Sequence, residues 1–206
     1  MRRGALALLL GGTLVLAAAL VLVLRPADHA VSAGNAPVAD RGRVPSSVAT
    51  VGGRTSGRPP LPAAGAHLRY PRFAVDAPIV TVRAVDGVMQ VPRNPHRVGW
   101  WRDGAAPGAA HGTVVVVGHV NYAGVNGALA VLPQAHPGDR VVISAREGSV
   151  RYRVAAVRTY PKERGIPADV FAPGGAARLV LITCGGPFDA ASGNYEDNVV
   201  VYAVPA

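Results

Sequence analysis

Cys184 is the only cysteine among 206 residues, and it ends an apolar run in the stretch LVLITCGGPFD, Leu179 to Asp189. Without a second thiol it cannot form a disulfide within the chain. It is therefore either a small buried hydrophobe, the common fate of a free cysteine, or a nucleophile. Thiol catalysis needs a base or proton donor beside the sulfur and donors for the oxyanion of a tetrahedral intermediate. Six histidines are available for the first role. His29 lies in a Pro/Gly/Ser-rich segment, and His67, His96, His111 and His136 sit among Pro, Gly or Ala. His119 differs, because it follows Gly118 at the end of TVVVVGHV. A side chain at a strand end is held by a rigid element yet opens onto loops, as a catalytic group requires. The alternative for His119 is a loop histidine bonded to a backbone carbonyl. Gly185 and Gly186 favour the nucleophile reading of Cys184, since residues without Cβ let a substrate backbone approach and leave N–H groups open.

These two residues are far apart in sequence, so a fold must bring two strand ends together. From about His67 onward short β-branched runs alternate with turn signals. Strands are expected over Thr113–Val120, Arg178–Cys184 and Asn198–Val204. A hairpin is expected with strands Arg140–Ala145 and Val150–Arg158, with Glu147-Gly148 at its turn. Asn126–Ala135 reads as the best short helix, closed by Pro133 or Pro137. Strands this frequent with so little helix predict a mostly β domain, a barrel or a sandwich.

Composition narrows the function classes. Half of the residues are hydrophobic, which permits a buried core and argues against global disorder. The net charge of +9 divides into seven arginines against two aspartates in residues 1–65, and fourteen basic against ten acidic residues in 66–206. With no basic run, the second part reads as a solvated surface, and nucleic-acid binding is not expected. The basic side chains are arginines apart from Lys162.

The chain opens MRRGALALLLGGTLVLAAALVLVLRP. Residues 1–3 are expected at the cytoplasmic face, and Gly4–Leu24 carry no charge. As a helix that run spans roughly 31 Å at ~1.5 Å per residue, which matches a ~30 Å hydrocarbon core. Arg2 and Arg3 favour a cytoplasmic N-terminus. The reading is an uncleaved anchor; the competing one is a signal sequence cut near ADHA. Either way the remainder is exported. Residues 25–65 have the Pro/Gly/Ser-rich composition of a linker, with a flexible-coil span of roughly 35 Å, and 66–206 form the globular domain.

LITCGG resembles the TLxTC signature of the sortases, membrane-anchored cysteine transpeptidases of Gram-positive bacteria. The likeness continues in order through VPRNPHRVGWW, GTVVVVGHV, RTYPKERGIPADVF and LITCGGPFDAASGNYEDNVVVYA, and covers about residues 67–206. Together the blocks look most like the class F sortases of actinobacteria. The resemblance implies an eight-stranded β-barrel with Cys184 and His119 facing each other. It implies attack by Cys184 on a sorting signal between Thr and Gly of an LPxTG-like motif, protonation of the leaving amine by His119, and resolution of the thioester by an amine of a cell-wall precursor. No cofactor is implied.

One departure from the family stands out. Sortases generally carry an arginine on the strand after the cysteine, and this chain has none from Cys184 to Ala206. Asn198 is the nearest positional equivalent, with Tyr195, the Gly185 backbone and Arg178 as further candidates for oxyanion or substrate contacts. Trp100 and Trp101 are read as core or rim residues rather than groove lining. The segment GHVNYAGVNGALAVL is read as an apolar wall for the substrate. Asp189, Glu196 and Asp197 flank one loop; some sortases hold calcium, but these three are read as exposed carboxylates rather than a metal site. Two rival functions are kept. A Cys/His cell-wall hydrolase or L,D-transpeptidase lacks its compact SHGC-type motif here. A non-catalytic surface module with the same fold would account for the missing arginine.

The anchor is directly testable. Intact-mass analysis of membrane-extracted protein is expected to return the whole chain with Gly4–Leu24 retained; a mature chain beginning near Ala30 would establish cleavage instead.

Overall fold

Burial on both faces explains why valine dominates the central strands. A computed structural model describes Ala33–Gly34 and residues 65–172 and 174–206. The expected span Gly4–Leu24 and nearly all of the linker lie outside the described residues. Among those described, no helix is long and apolar enough to cross a membrane. Eight strands form the body: β1 (His67–Tyr70), β2 (Val75–Val82), β3 (Val98–Trp101), β4 (Thr113–Val117), β5 (Arg140–Ala145), β6 (Gly148–Pro161), β7 (Arg178–Asp189) and β8 (Asn194–Pro205). Their spatial order is β6-β5-β1-β2-β3-β4-β7-β8, and β8 pairs back onto β6 to close the barrel. Closure leaves no free sheet edge along the circuit. The contacts β2–β3 and β4–β7 are parallel, and the others are antiparallel.

Strand residues alternate between two apolar environments. Val114, Val116, Leu179, Leu181, Val199 and Val201 point into the barrel. Their neighbours Val115, Val117, Val180, Ile182, Val200 and Tyr202 form a second cluster on the outer face, under Trp101, Val170 and Phe171. The three central strands are therefore covered on both sides and lose the polar alternation of a half-exposed sheet. Arg178 fixes the covering segment. Only 2% exposed, its Nε donates to Thr113 Oγ1 at 2.8 Å, its Nη2 donates to the Asp169 carbonyl, and it lies 3.6 Å from the Asp169 carboxylate.

The β5–β6 hairpin and the C-terminal pair form as expected, with β7 and β8 each running further than the apolar residues alone suggest. The helix expected over Asn126–Ala135 is absent. Its place is taken by the end of a two-residue strand, a turn, and one 3-10 turn at Leu132–Gln134. Pro133 has no N–H to give a continuing helix. Leu129 and Leu132 are instead buried among the barrel's inward-facing side chains.

A polar cluster ties β1 to the start of β5. The Tyr70 hydroxyl donates to Asp139 at 2.8 Å, Arg72 donates to both carboxylate oxygens at 3.0 and 3.1 Å, and the His136 N–H donates at 2.9 Å. Burial alone would raise the Asp139 pKa. The donors from His136, Tyr70 and Arg72 outweigh it and hold the carboxyl below its usual range. A depressed folded-state pKa contributes stability above the unfolded value and loses it as the pH falls through the folded one. The melting-temperature gap between the wild type and Asp139→Asn is therefore expected to be widest at neutral pH and to narrow below about pH 4. A gap independent of pH in thermal melts would show that the carboxylate charge is not what the cluster uses.

Candidate active site

The parallel ladder between β4 and β7 aligns Thr113 with Arg178 and continues in step to Val117 opposite Ile182. The sequence offset is 65 residues throughout, as in the side-chain bond that joins Thr183 to Gly118. His119 and Cys184 have the same offset. Each stands two residues beyond the last ladder pair, His119 just past the C-terminal end of β4 and Cys184 where β7 runs on toward Asp189, on parallel strands about 4.8 Å apart. Two bonds carry the alignment past the ladder. The Gly118 N–H donates to the Ile182 carbonyl at 3.1 Å, and the buried Thr183 hydroxyl donates to the Gly118 carbonyl at 2.9 Å.

His119 is held from three sides. Its Nε2 lies 3.0 Å from the Pro92 carbonyl. A carbonyl can only accept, so Nε2 carries the proton, and Nδ1 is the nitrogen left for proton exchange. The Tyr122 ring lies against the imidazole, with centroids 4.6 Å apart and planes 30° off parallel. The loop then returns on itself. Asn121–Tyr122 pairs with Val125–Asn126 across a turn in which Ala123 and Gly124 both have positive φ, and the Leu129 N–H reaches the His119 carbonyl at 3.3 Å. Gly127 permits this return, because a Cβ there would collide with the His119 carbonyl. The histidine thus does bond a backbone carbonyl, as the bland reading held, and is also in register with the only thiol.

Cys184 is half-buried. Asn198 is its cross-strand partner on β8, and Tyr160 on β6 pairs with Asn198 in turn. Residues directly opposed across antiparallel strands share a face. Cys184, Asn198 and Tyr160 therefore form one row on the barrel's outer surface, just past the apolar row of Ile182 and Val200. The Tyr160 and Tyr202 hydroxyls are 2.9 Å apart, which fixes the far end of that row.

Other expectations separate here. Arg178 begins β7, six residues before Cys184 and so about 20 Å away at ~3.3 Å per residue. Its guanidinium is committed to Thr113 and Asp169, so it does not serve the cysteine. Tyr195 pairs with Phe188 beyond a register shift, with ring centroids 5.2 Å apart. The two glycines leave less room for substrate than expected. A Cβ on Gly185 would meet the Val199 side chain, and one on Gly186, at φ +74, would meet the Asp197 carboxylate. Their freedom serves close packing and a left-handed turn. Trp100 packs against the barrel interior and donates to the Ala105 carbonyl at 2.9 Å, whereas Trp101 joins the outer cluster. In the segment read as an apolar wall, Leu129 and Leu132 are buried while Tyr122 and Val125 are exposed. Beyond Cys184 a hollow of about 470 Å³ is lined by Pro161, Glu163, Glu196 and Asp197. Among the described residues no group of three or more His, Cys, Asp or Glu is arranged to hold a metal.

The sortase-domain family model matches residues 68–206, two thirds of the sequence. The chain belongs to the sortase family. Comparison with curated proteins gives no significant match. Solved sortases share the fold at low identity. Sortase A from Corynebacterium diphtheriae aligns with a TM-score of 0.53 and 19% identity over 68% of this chain and 60% of that one. Sortase C1 of Streptococcus agalactiae, solved in complex with MTSET, gives 0.54 and 20% over 68% of each. Sortase C-1 from Actinomyces oris gives 0.52 and 21% over 68% of this chain and 73% of that one. The chain is thus of sortase type, a family whose general activity is cysteine transpeptidation.

Sequence reasoning missed Thr183, Pro92 and Gly127 as supports of the site. Thr183 lay inside the recognised signature, but its role depends on a partner 65 positions upstream. Thr183→Val removes the hydroxyl at constant shape and strands a buried carbonyl, with an expected cost of about 1–3 kcal/mol and a parallel loss of turnover. Thr183→Ser is expected to restore both. Thermal melts and peptide-cleavage rates on the pair provide the measurement, and a fully active, stable Thr183→Val would remove this bond from the account.

Proposed function

We propose that this sortase is an exported class F enzyme, tethered by Gly4–Leu24, that cleaves an LPxTG-like sorting signal between Thr and Gly and joins the protein to a cell-wall amine. The observation that carries the proposal is the 65-residue offset that His119 and Cys184 share with the β4–β7 ladder just before them. The four sequence blocks support the class.

In the first half-reaction Cys184 Sγ, as thiolate, adds to the threonine carbonyl carbon. The tetrahedral intermediate collapses with loss of the C–N bond, and the leaving glycine amine takes its proton from His119. A C–S thioester remains. In the second half an amine, such as that of a peptidoglycan precursor, adds to the thioester carbon. His119 accepts the proton that this nitrogen sheds, and sulfur leaves. No step calls for a cofactor. Oxyanion donors are needed in both halves. Asn198 faces the same surface as Cys184 from the adjoining strand and is assigned as one donor, with Gly185 N–H and Tyr195 as the remaining candidates.

The absence of an arginine after Cys184 favours a second reading, a surface module with the sortase fold and an inactive site. Turnover separates the two. Wild-type protein is expected to cleave an LPxTG-like peptide and form a thioester detectable by mass. Cys184→Ala should abolish both, and His119→Ala should reduce turnover by several orders of magnitude. Asn198→Ala should lower kcat/KM at least tenfold with little change in melting temperature, in line with the ~10²–10³ cost of a lost oxyanion donor. A wild type that forms no acyl-enzyme with any sorting peptide would establish the inactive module.

A further inference from the structure

Folding gathers arginines that are scattered in sequence. Inward-facing Val141, Tyr152 and Val154 force their strand neighbours Arg140, Arg151 and Arg153 outward. Arg140 and Arg153 are directly opposed in the β5–β6 register. Like charges in that position destabilise a sheet. Arg72 approaches from the turn after β1, and the four guanidinium-bearing residues line a hollow of about 370 Å³ together with Pro71, Gly138, Tyr152 and Ala206.

The local balance is one-sided. Asp139, next to the lining residue Gly138, already has its carboxylate shared by Arg72, Tyr70 and the His136 amide, and Ala206, the last residue of the sequence, sets one backbone carboxylate against four arginines. Among the described residues, Arg140, Arg151 and Arg153 take part in no ion pair. Elsewhere on the same sheet an arginine is matched across strands, as Arg69 is with Asp76 at 3.1 Å. Three unpaired guanidiniums around a hollow larger than several waters create a positive potential that an anion with several oxygens would neutralise.

We propose that Arg140, Arg151 and Arg153, with Arg72 at the rim, form a binding site for a phosphate-bearing anion, separate from the cysteine. Guanidinium forks match phosphate oxygens two at a time, and three forks carried on two strands suit a tetrahedral group better than a planar carboxylate. The source is a free phosphate compound or the phosphodiester headgroup of a lipid or polymer. The site lies well away from Cys184. Arg153 pairs with Val204, six residues along β8 from Asn198, or about 20 Å at ~3.3 Å per residue. Occupancy there would orient the domain without entering the reaction.

Calorimetric titration of the full chain at low ionic strength, with inorganic pyrophosphate and separately with glycerophosphoglycerol, tests the site. Saturable binding of either probe is expected, weakened at least tenfold in R140Q/R153Q and left nearly intact in R83Q/R164Q, which removes as much charge elsewhere. Tighter binding of pyrophosphate would assign the site to free phosphates, and tighter binding of the diester to a headgroup; both support it. Peptide cleavage by R140Q/R153Q should equal the wild type, so a failure of the transpeptidase assignment would be recorded separately. No saturable binding by wild type, or equal weakening in the two double variants, would overturn the proposal.

Discussion

Everything at the site depends on the parallel register between β4 and β7. It converts a separation along the chain into adjacency across two strands, and it does so with backbone bonds that tolerate no partial slip. Moving one strand by a single residue would turn either the thiol or the imidazole toward the opposite face. The Thr183 hydroxyl on the Gly118 carbonyl acts as a stop at the point where the ladder gives out. The histidine then needs only a short, tightly returned loop to be held, and the cysteine needs only the strand that carries it.

That register is maintained by apolar cover on both sides of the sheet. The barrel interior grips one set of side chains, and the segment around Val170 and Phe171 grips the other. Arg178 joins the two by holding Asp169 from inside the sheet. An arginine weighed for oxyanion duty is thus structural: it fastens the outer cover of β4, β7 and β8. The groups that share a row with Cys184 are the neutral side chains of Asn198 and Tyr160.

The fold class, the β5–β6 hairpin and the strands leading to His119 and Cys184 were legible because β-branched runs and turn residues carry their signal locally, although the first of these strands stops at Val117, short of the expected Val120. Expected and observed limits coincide for Arg140–Ala145, where polar turns bound the run on both sides. The Asn126–Ala135 helix was misread because its leucines have helical spacing, while the demand they answer is a place in the barrel core. Pro92 could not have been linked to His119 from sequence, since a backbone acceptor has no side-chain identity to read. The arginine cluster shows the same limit in reverse. Charge counts over the domain described an ordinary surface, and only cross-strand register places Arg140 against Arg153.

Strand β8 is bonded to β6 along one edge and to β7 along the other. It is therefore the closing stave of the barrel, and it comes last among the eight strands. Until it docks, β6 and β7 each lack a neighbour and Asn198 is absent from the row beside Cys184; its pairing with β7 is a local hairpin, whereas its pairing with β6 spans a longer stretch of chain. Folding dominated by such distant pairings is slow. A chain in which β8 is unpaired therefore holds Cys184 without the strand that flanks it, and its barrel stays open on that side.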